Sequence, residues 1–125
     1  MTNENKTYKI EENSQLSYLV TKLKIDYSNY ANPKNGYVNS EDLLKFDSNK
    51  KEYTQKDLNG LEKQLIAAYG LNKQYKGPLN ASITANHLSA LYGVLENKEK
   101  DGYWAHIGYE DEKLFHEQEK KIQGR

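Results

Sequence analysis

The chain has 125 residues, 18 basic and 18 acidic side chains, and no cysteine. One domain of this size buries roughly two-thirds of its unfolded surface. A chain without cysteine has no disulfide framework and no thiolate metal site, and no run here approaches the roughly 20 apolar residues that cross a bilayer.

The charge is unevenly spread. Lys45 to Leu95 is net +3, Glu96 to Arg125 is net −2, and the first 44 residues carry −1. This is too mild for the electrostatic footprint of a duplex-binding protein. Arg125 is the only arginine. Arginine is the usual bidentate reader of guanine, so a sequence-specific major-groove reader is disfavoured.

The opening MTNENKTYKIEENSQ lacks the apolar run of a signal peptide, and the expected compartment is cytoplasmic. Residues 1–12 read as a loose polar segment, with Thr7-Tyr8-Lys9-Ile10 able to pair as a short strand. Residues 13–125 read as a single domain. In SQLSYLVTKLKIDYSNY, Leu16, Leu19, Val20, Leu23 and Tyr27 fit a helical stripe. Leu19, Thr21, Leu23, Ile25 and Tyr27 also alternate over nine residues, and that alternation with β-branched and aromatic members favours a strand.

ANPKNG is a turn, and SEDLLKF a short helix with Ser40 as its N-cap. The stretch NPKNGYVNSEDLL resembles the second half of an EF-hand loop, with Gly36, Val38 and Asp42 in register. Ala31 and Pro33 occupy ligand positions, however, and Ca²⁺ needs about six to eight oxygens. A plain Asn-Gly turn accounts for it better.

TQKDLNGLEKQLIAAYG is the clearest helix. Thr54 and Asp57 make a capping box, Leu58, Leu61, Leu65 and Ala68 or Tyr69 form the apolar face, and Gly70 stands as the left-handed C-terminal stop. Gly60 inside it suggests a close helix crossing. Gly77-Pro78 is a turn. Leu79, Ala81 and Ile83 alternate, and His87, Leu88, Leu91, Tyr92 and Leu95 suit a helix. Alternatively, Leu91 to Glu96 is a strand that turns at NKEKDG and returns as YWAHIGY. In EDEKLFHEQEKKIQ, Asp111 caps a last helix whose acids lead and whose lysines trail, the order a helix dipole prefers.

YWAHIGY as a strand puts Tyr103, Ala105, Ile107 and Tyr109 on one face and Trp104, His106 and Gly108 on the other. Both faces are too apolar for open water. Either both are covered, or the Trp104/His106 face meets a partner.

HLSA, His87 to Ala90, resembles half of the two-histidine phosphoesterase signature, in which two His-x-Ser/Thr motifs hold a terminal phosphate. The second candidate, HIGY from His106, has Gly108 in place of the hydroxyl, and a buried or surface histidine accounts for His87 better. His87, His106 and His116 with Asp101, Glu110 or Asp111 lack metal-ligand spacing, and there is no nucleophile elbow or phosphate-cradling glycine loop. No cofactor and no metal are expected.

The expected fold is α+β: a small, twisted antiparallel sheet or open barrel including residues 17–30 and 103–109, packed by two to four helices. The first functional expectation is a non-enzymatic accessory protein that regulates or inhibits a macromolecular partner. Trp104, His106, Tyr103 and Tyr109 would make the contact. The partner is a host or element-encoded protein, and a homodimer is compatible. Abundant Asn, Lys and Tyr with scarce Arg match an A+T-rich genome, as in phages or plasmids of low-G+C bacteria. The alternative is an RNA or single-stranded nucleic acid binder. Lys50, Lys51, Lys73 and Lys76 would meet phosphate, while Tyr53, Tyr75 and Trp104 stack on bases. The third is a small hydrolase using His87 and His106.

Overall fold

A computed structural model of the protein describes residues 6–30 and 47–123. The ANPKNG turn, the EF-hand-like stretch and the SEDLLKF helix lie outside the described residues. The element order is β1 (Thr7–Lys9), a single turn of tight helix (Ile10–Glu12), α1 (Ser14–Tyr30), β2 (Glu52–Thr54), α2 (Gln55–Tyr75), α3 (Pro78–Val94) and α4 (Lys98–Gln123). The class is α+β, but the described sheet has only two strands, and it is not where the alternation of the sequence put it.

β1 and β2 pair antiparallel, Tyr8 opposite Tyr53, with Thr7 opposite Thr54 and Lys9 opposite Glu52. The pleat sends the two tyrosines inward and their neighbours into water. Both hydroxyls find acceptors: Tyr8 donates to Gln55 Oε1 at 2.8 Å and Tyr53 to the Asp47 carbonyl at 2.8 Å. A ladder of this length is stable only against a packed layer, and Tyr8 and Tyr53 supply the apolar contact.

Residues 14–30 are helix, which corrects the strand reading. Leu16, Leu19, Val20 and Leu23 are all buried while Thr21 is exposed. The strand register placed Thr21 with the leucines and Val20 with the lysines; only a period of 3.6 separates them properly. Asn13 starts the helix by accepting from Leu16 N at 3.0 Å.

The Thr54–Asp57 capping box forms as read, with Asp57 N donating to Thr54 Oγ1 at 3.1 Å and Thr54 N to Asp57 Oδ2 at 3.0 Å. α2 does not stop at Gly70, however. It runs on to Tyr75 because Leu65, Ala68 and Asn72 continue its buried face. Gly77, at φ 98°, is the left-handed residue that ends it, and its N–H reaches back to the Asn72 carbonyl at 2.8 Å. Gly60 marks no close crossing, since a side chain there would meet nothing within 4 Å.

α3 is apolar almost all round and is the central helix, packed against α1, α2 and α4. Its buried side chains include Ala81, Ala85, Leu88, Leu91 and Tyr92, together with Thr84, which accepts from Asn72 Nδ2 at 2.8 Å. The alternation at Leu79–Ile83 is therefore an incidental feature of a buried helix.

The turn at NKEKDG is real but joins two helices. Asn97 N bonds the Tyr92 carbonyl at 2.9 Å, Glu96 adopts φ 59°, and Asn97 Oδ1 accepts from Lys100 N at 3.1 Å to start α4. Residues 103–109 lie inside α4, not in a strand, and Asp111 is not a cap but a buried residue of the same helix. No helix of the described residues is long and apolar enough to cross a membrane.

Candidate functional site

Trp104 and His106 do not share a side. Two residues apart on a helix, their side chains leave about 200° apart. Trp104 turns inward and packs against the core, whereas the His106 side chain is 71% exposed. The proposed common face of an extended segment does not exist.

The inner face of α4 carries Trp104, Gly108 and Asp111, spaced i, i+4, i+7. Gly108 is buried where α4 crosses α3. A Cβ there would stand 2.6 Å from Asn86 Oδ1 and 3.5 Å from the Ala85 methyl, so the glycine allows the close approach. Asp111 accepts from Tyr69 Oη at 2.6 Å and from Lys73 Nζ, both on α2. One turn from the start of α4, a second set repeats the chemistry. Tyr92 donates to Glu62 Oε2, and Lys100 Nζ stands 4.0 Å from that oxygen and 5.5 Å above the Tyr92 ring.

Trp104 lies between the two sets. Its ring meets Tyr69 edge-on at 5.1 Å and Tyr103 at 5.4 Å. Burial first, and then the adjoining carboxylate, holds the Tyr69 and Tyr92 hydroxyls well above their ordinary range; a hydrogen bond from Trp104 acts in the opposite sense on Tyr92. Each set is thus a neutral tyrosine, a carboxylate and a lysine. Together they tie α2 to α4 through long side chains over the central α3.

The outer face of α4 carries Tyr103 at 60% exposure, Tyr109 at 62%, and His106. At i, i+3 and i+6 they span about a third of the helix circumference. Around them stand charged groups: Glu110 is 3.9 Å from His106 Nε2, Glu112 is 3.6 Å from His116 Nε2, and Lys113 is exposed.

The nucleic-acid set is not brought together. Tyr53 is 0% exposed and has no ring face to offer a base. Burial likewise raises the ionisation range of its hydroxyl. Lys50 pairs with Asp57 at 3.4 Å, and Lys73 is held by Asp111. Tyr75 is 61% exposed, but it stands with Lys73 and Lys76 at the far end of α2 from Lys50 and Lys51. A helix of 21 residues separates those ends by about 30 Å.

The two histidines of the hydrolase reading differ as well: His87 is buried in α3, and His106 stands in water. Among the described residues no group of three His, Cys, Asp or Glu could hold a metal ion. A cavity of about 360 Å³ at the start of α2, lined by Lys50, Tyr53, Lys56, Asp57 and Gln64, contains neither histidine.

Sequence reasoning missed both tyrosine–carboxylate–lysine sets. The available signal was Tyr69 and Lys73 at i, i+4, which shows only once the helix is carried past Gly70, with Trp104 and Asp111 at i, i+7. Comparison with family models, with curated proteins and with solved structures finds no match to this chain.

Proposed function

We propose that this chain is a non-enzymatic binding protein, an accessory protein that regulates or inhibits a macromolecular partner through the outer face of α4. The observation that carries this reading is the grouping of Tyr103, His106 and Tyr109, large rings left in water on one side of a helix whose other side is tied down. Tyrosines are frequent anchors of protein contacts because they offer much area at little conformational cost. A charged surround, here Glu110, Glu112 and Lys113, is the usual rim. Trp104 serves this reading as the internal brace of the face, not as a contact. The A+T-rich composition supports a phage or plasmid origin, with a host or element-encoded partner in the cytoplasm.

The test is capture from a bacterial host lysate with the wild-type chain and with the Tyr103→Ala/Tyr109→Ala double variant. A protein retained by the wild type and lost from the double variant is the expected result. Equal recovery by both overturns the assignment of this face. A parallel arm offers a mixed RNA pool at two salt concentrations. Retention that falls steeply with salt would replace this reading with the nucleic-acid one.

A further inference from the structure

A second recess lies between α1, α3 and α4, with a volume of about 390 Å³. It shares no residue with the outer face of α4 and stands independently of the function proposed above. Its walls include Gln15 and Tyr18 of α1, Asn86, Ser89 and Gly93 of α3, and Asp101 of α4.

Asp101 is half-buried, and its Oδ1 accepts the hydroxyl proton of Ser89. No cation pairs with it among the described residues. Lys100, its neighbour, turns away to Glu62 and the Tyr92 ring. The Ser89 hydroxyl and the N-terminal end of α4, in whose first turn Asp101 lies, compensate this carboxylate in part and supply no counter-ion.

Gly93 shapes the floor. A Cβ on this residue would stand 3.4 Å from Asp101 Oδ2 and 3.4 Å from Gln15 Oε1. The two oxygens therefore converge above the glycine from opposite walls. Neither accepts a hydrogen bond from a described residue, and the Ser89 proton is already committed to Asp101. The lining includes the Asn86 and Gln15 amide groups, but its one formal charge is the Asp101 carboxylate, which repels an anion and suits a cation rich in N–H donors. Tyr18 adds an aromatic wall, 58% exposed, whose ring already has the Lys22 ammonium 5.7 Å from its centre.

We propose that this recess binds a primary ammonium or a guanidinium group, hydrogen-bonded by Asp101 Oδ2 and Gln15 Oε1 over the bare backbone of Gly93. The group arrives either on a free small amine or as a lysine or arginine side chain of a polypeptide.

Amide chemical shifts of the full chain test this. One arm titrates n-butylammonium and ethylguanidinium chloride against sodium chloride of equal ionic strength. The other titrates N-acetylated Gly-Gly-Lys-Gly-Gly and Gly-Gly-Arg-Gly-Gly amides. Saturable shifts at Gln15, Ser89 and Gly93 with the small cations identify a free amine as sufficient. Saturation with the peptides alone assigns the site to a polypeptide side chain. Asp101→Asn weakens the response at least about tenfold, the loss of one charge-assisted hydrogen bond. Gln15→Glu, an exposed change that leaves the core untouched, strengthens it severalfold. Shifts no larger than those of sodium chloride in both arms overturn the proposal. So does undiminished binding by folded Asp101→Asn or, should that variant not fold, unchanged affinity in Gln15→Glu.

Discussion

α4 presents two faces built from interleaved residues, and they live in different surroundings. The inner face sets Trp104, Gly108 and Asp111 against α3 and α2, with every polar atom of Asp111 given a donor. The outer face, from the same few turns, leaves Tyr103, His106 and Tyr109 in water. Residue type does not separate them, since both faces carry aromatic rings. What separates them is whether a neighbouring helix supplies a partner. Tyr92 is buried and Tyr69 half-buried, with Glu62 and Asp111 accepting their protons; Tyr103 and Tyr109 have no such acceptor among the described residues and stay outside. Each inward tyrosine among the described residues has an acceptor for its hydroxyl: a carboxylate for Tyr69 and Tyr92, the Gln55 amide oxygen for Tyr8 and the Asp47 carbonyl for Tyr53.

Removing the indole tests that contrast most severely. Trp104→Ala takes away the ring wedged between Tyr69 and Tyr103 and leaves a gap at the α2–α4 seam. The expected loss is about 3 kcal/mol, the lower end for large-to-small aromatic changes because the ring is only partly buried. Urea denaturation measures it. A loss below about 0.5 kcal/mol, the scale of a surface change, would abolish the distinction between the faces.

Asp111→Ala is expected to cost about 2 kcal/mol, since it strands the Tyr69 hydroxyl without an acceptor. Lys73 limits the damage, because its side chain is 46% exposed and can return to water. Asp111→Asn retains a carbonyl for Tyr69 and should cost less. If the two variants are equally stable, the hydrogen bond is not what holds α2 to α4.

The same sets respond to alkali. The ordinary tyrosine value is 10.0, and burial followed by the adjoining carboxylates raises Tyr69 and Tyr92 above it. A group raised in the folded state stabilises fully below its unfolded value and loses that contribution as pH climbs past it. Stability should therefore hold up to about pH 10 and fall beyond it. Phenolate absorbance should show Tyr69 and Tyr92 ionising only with loss of helical circular dichroism. One simple titration of all tyrosines near pH 10 with the fold intact would contradict the burial of these hydroxyls.

How much of this was legible in the residues depended on which signal each segment carried. Thr54 and Asp57 announced α2 because a capping box is local chemistry, readable without neighbours. The end of α2 was misjudged at Gly70 because a glycine stops a helix only when the buried stripe stops too, and Asn72 continues it. α1 was misread because a short apolar segment satisfies both periods, and the burial of Val20, which decides between them, is tertiary information. Around residues 103–109, Asp101-Gly102 imitated a hairpin turn, and Gly102 and Gly108 lowered helix propensity. One of these, Gly108, is there for contact with α3. For the site, the strand reading put His106 with Trp104 and apart from Tyr103 and Tyr109; the helix groups His106 with the two tyrosines and turns Trp104 inward. The partners that decided its place, Tyr69 and Tyr92, lie 35 and 12 residues earlier in the chain.

The smallest expected effect is the most informative about the outer face. Tyr103→Ala and Tyr109→Ala each remove an exposed ring whose hydroxyl ties to nothing described, so each should change stability by no more than about 0.5 kcal/mol. Tyr103 is the more exacting case, because its ring also touches Trp104 at 5.4 Å. If that edge contact steadies the indole, Tyr103→Ala will cost more than Tyr109→Ala, and the excess will vanish in a Trp104→Ala background, where the two changes share one interaction. If both costs are equally small, the outer rings contribute nothing to the fold. Any loss of partner retention in the double variant then reports on the contact itself, not on a loosened helix.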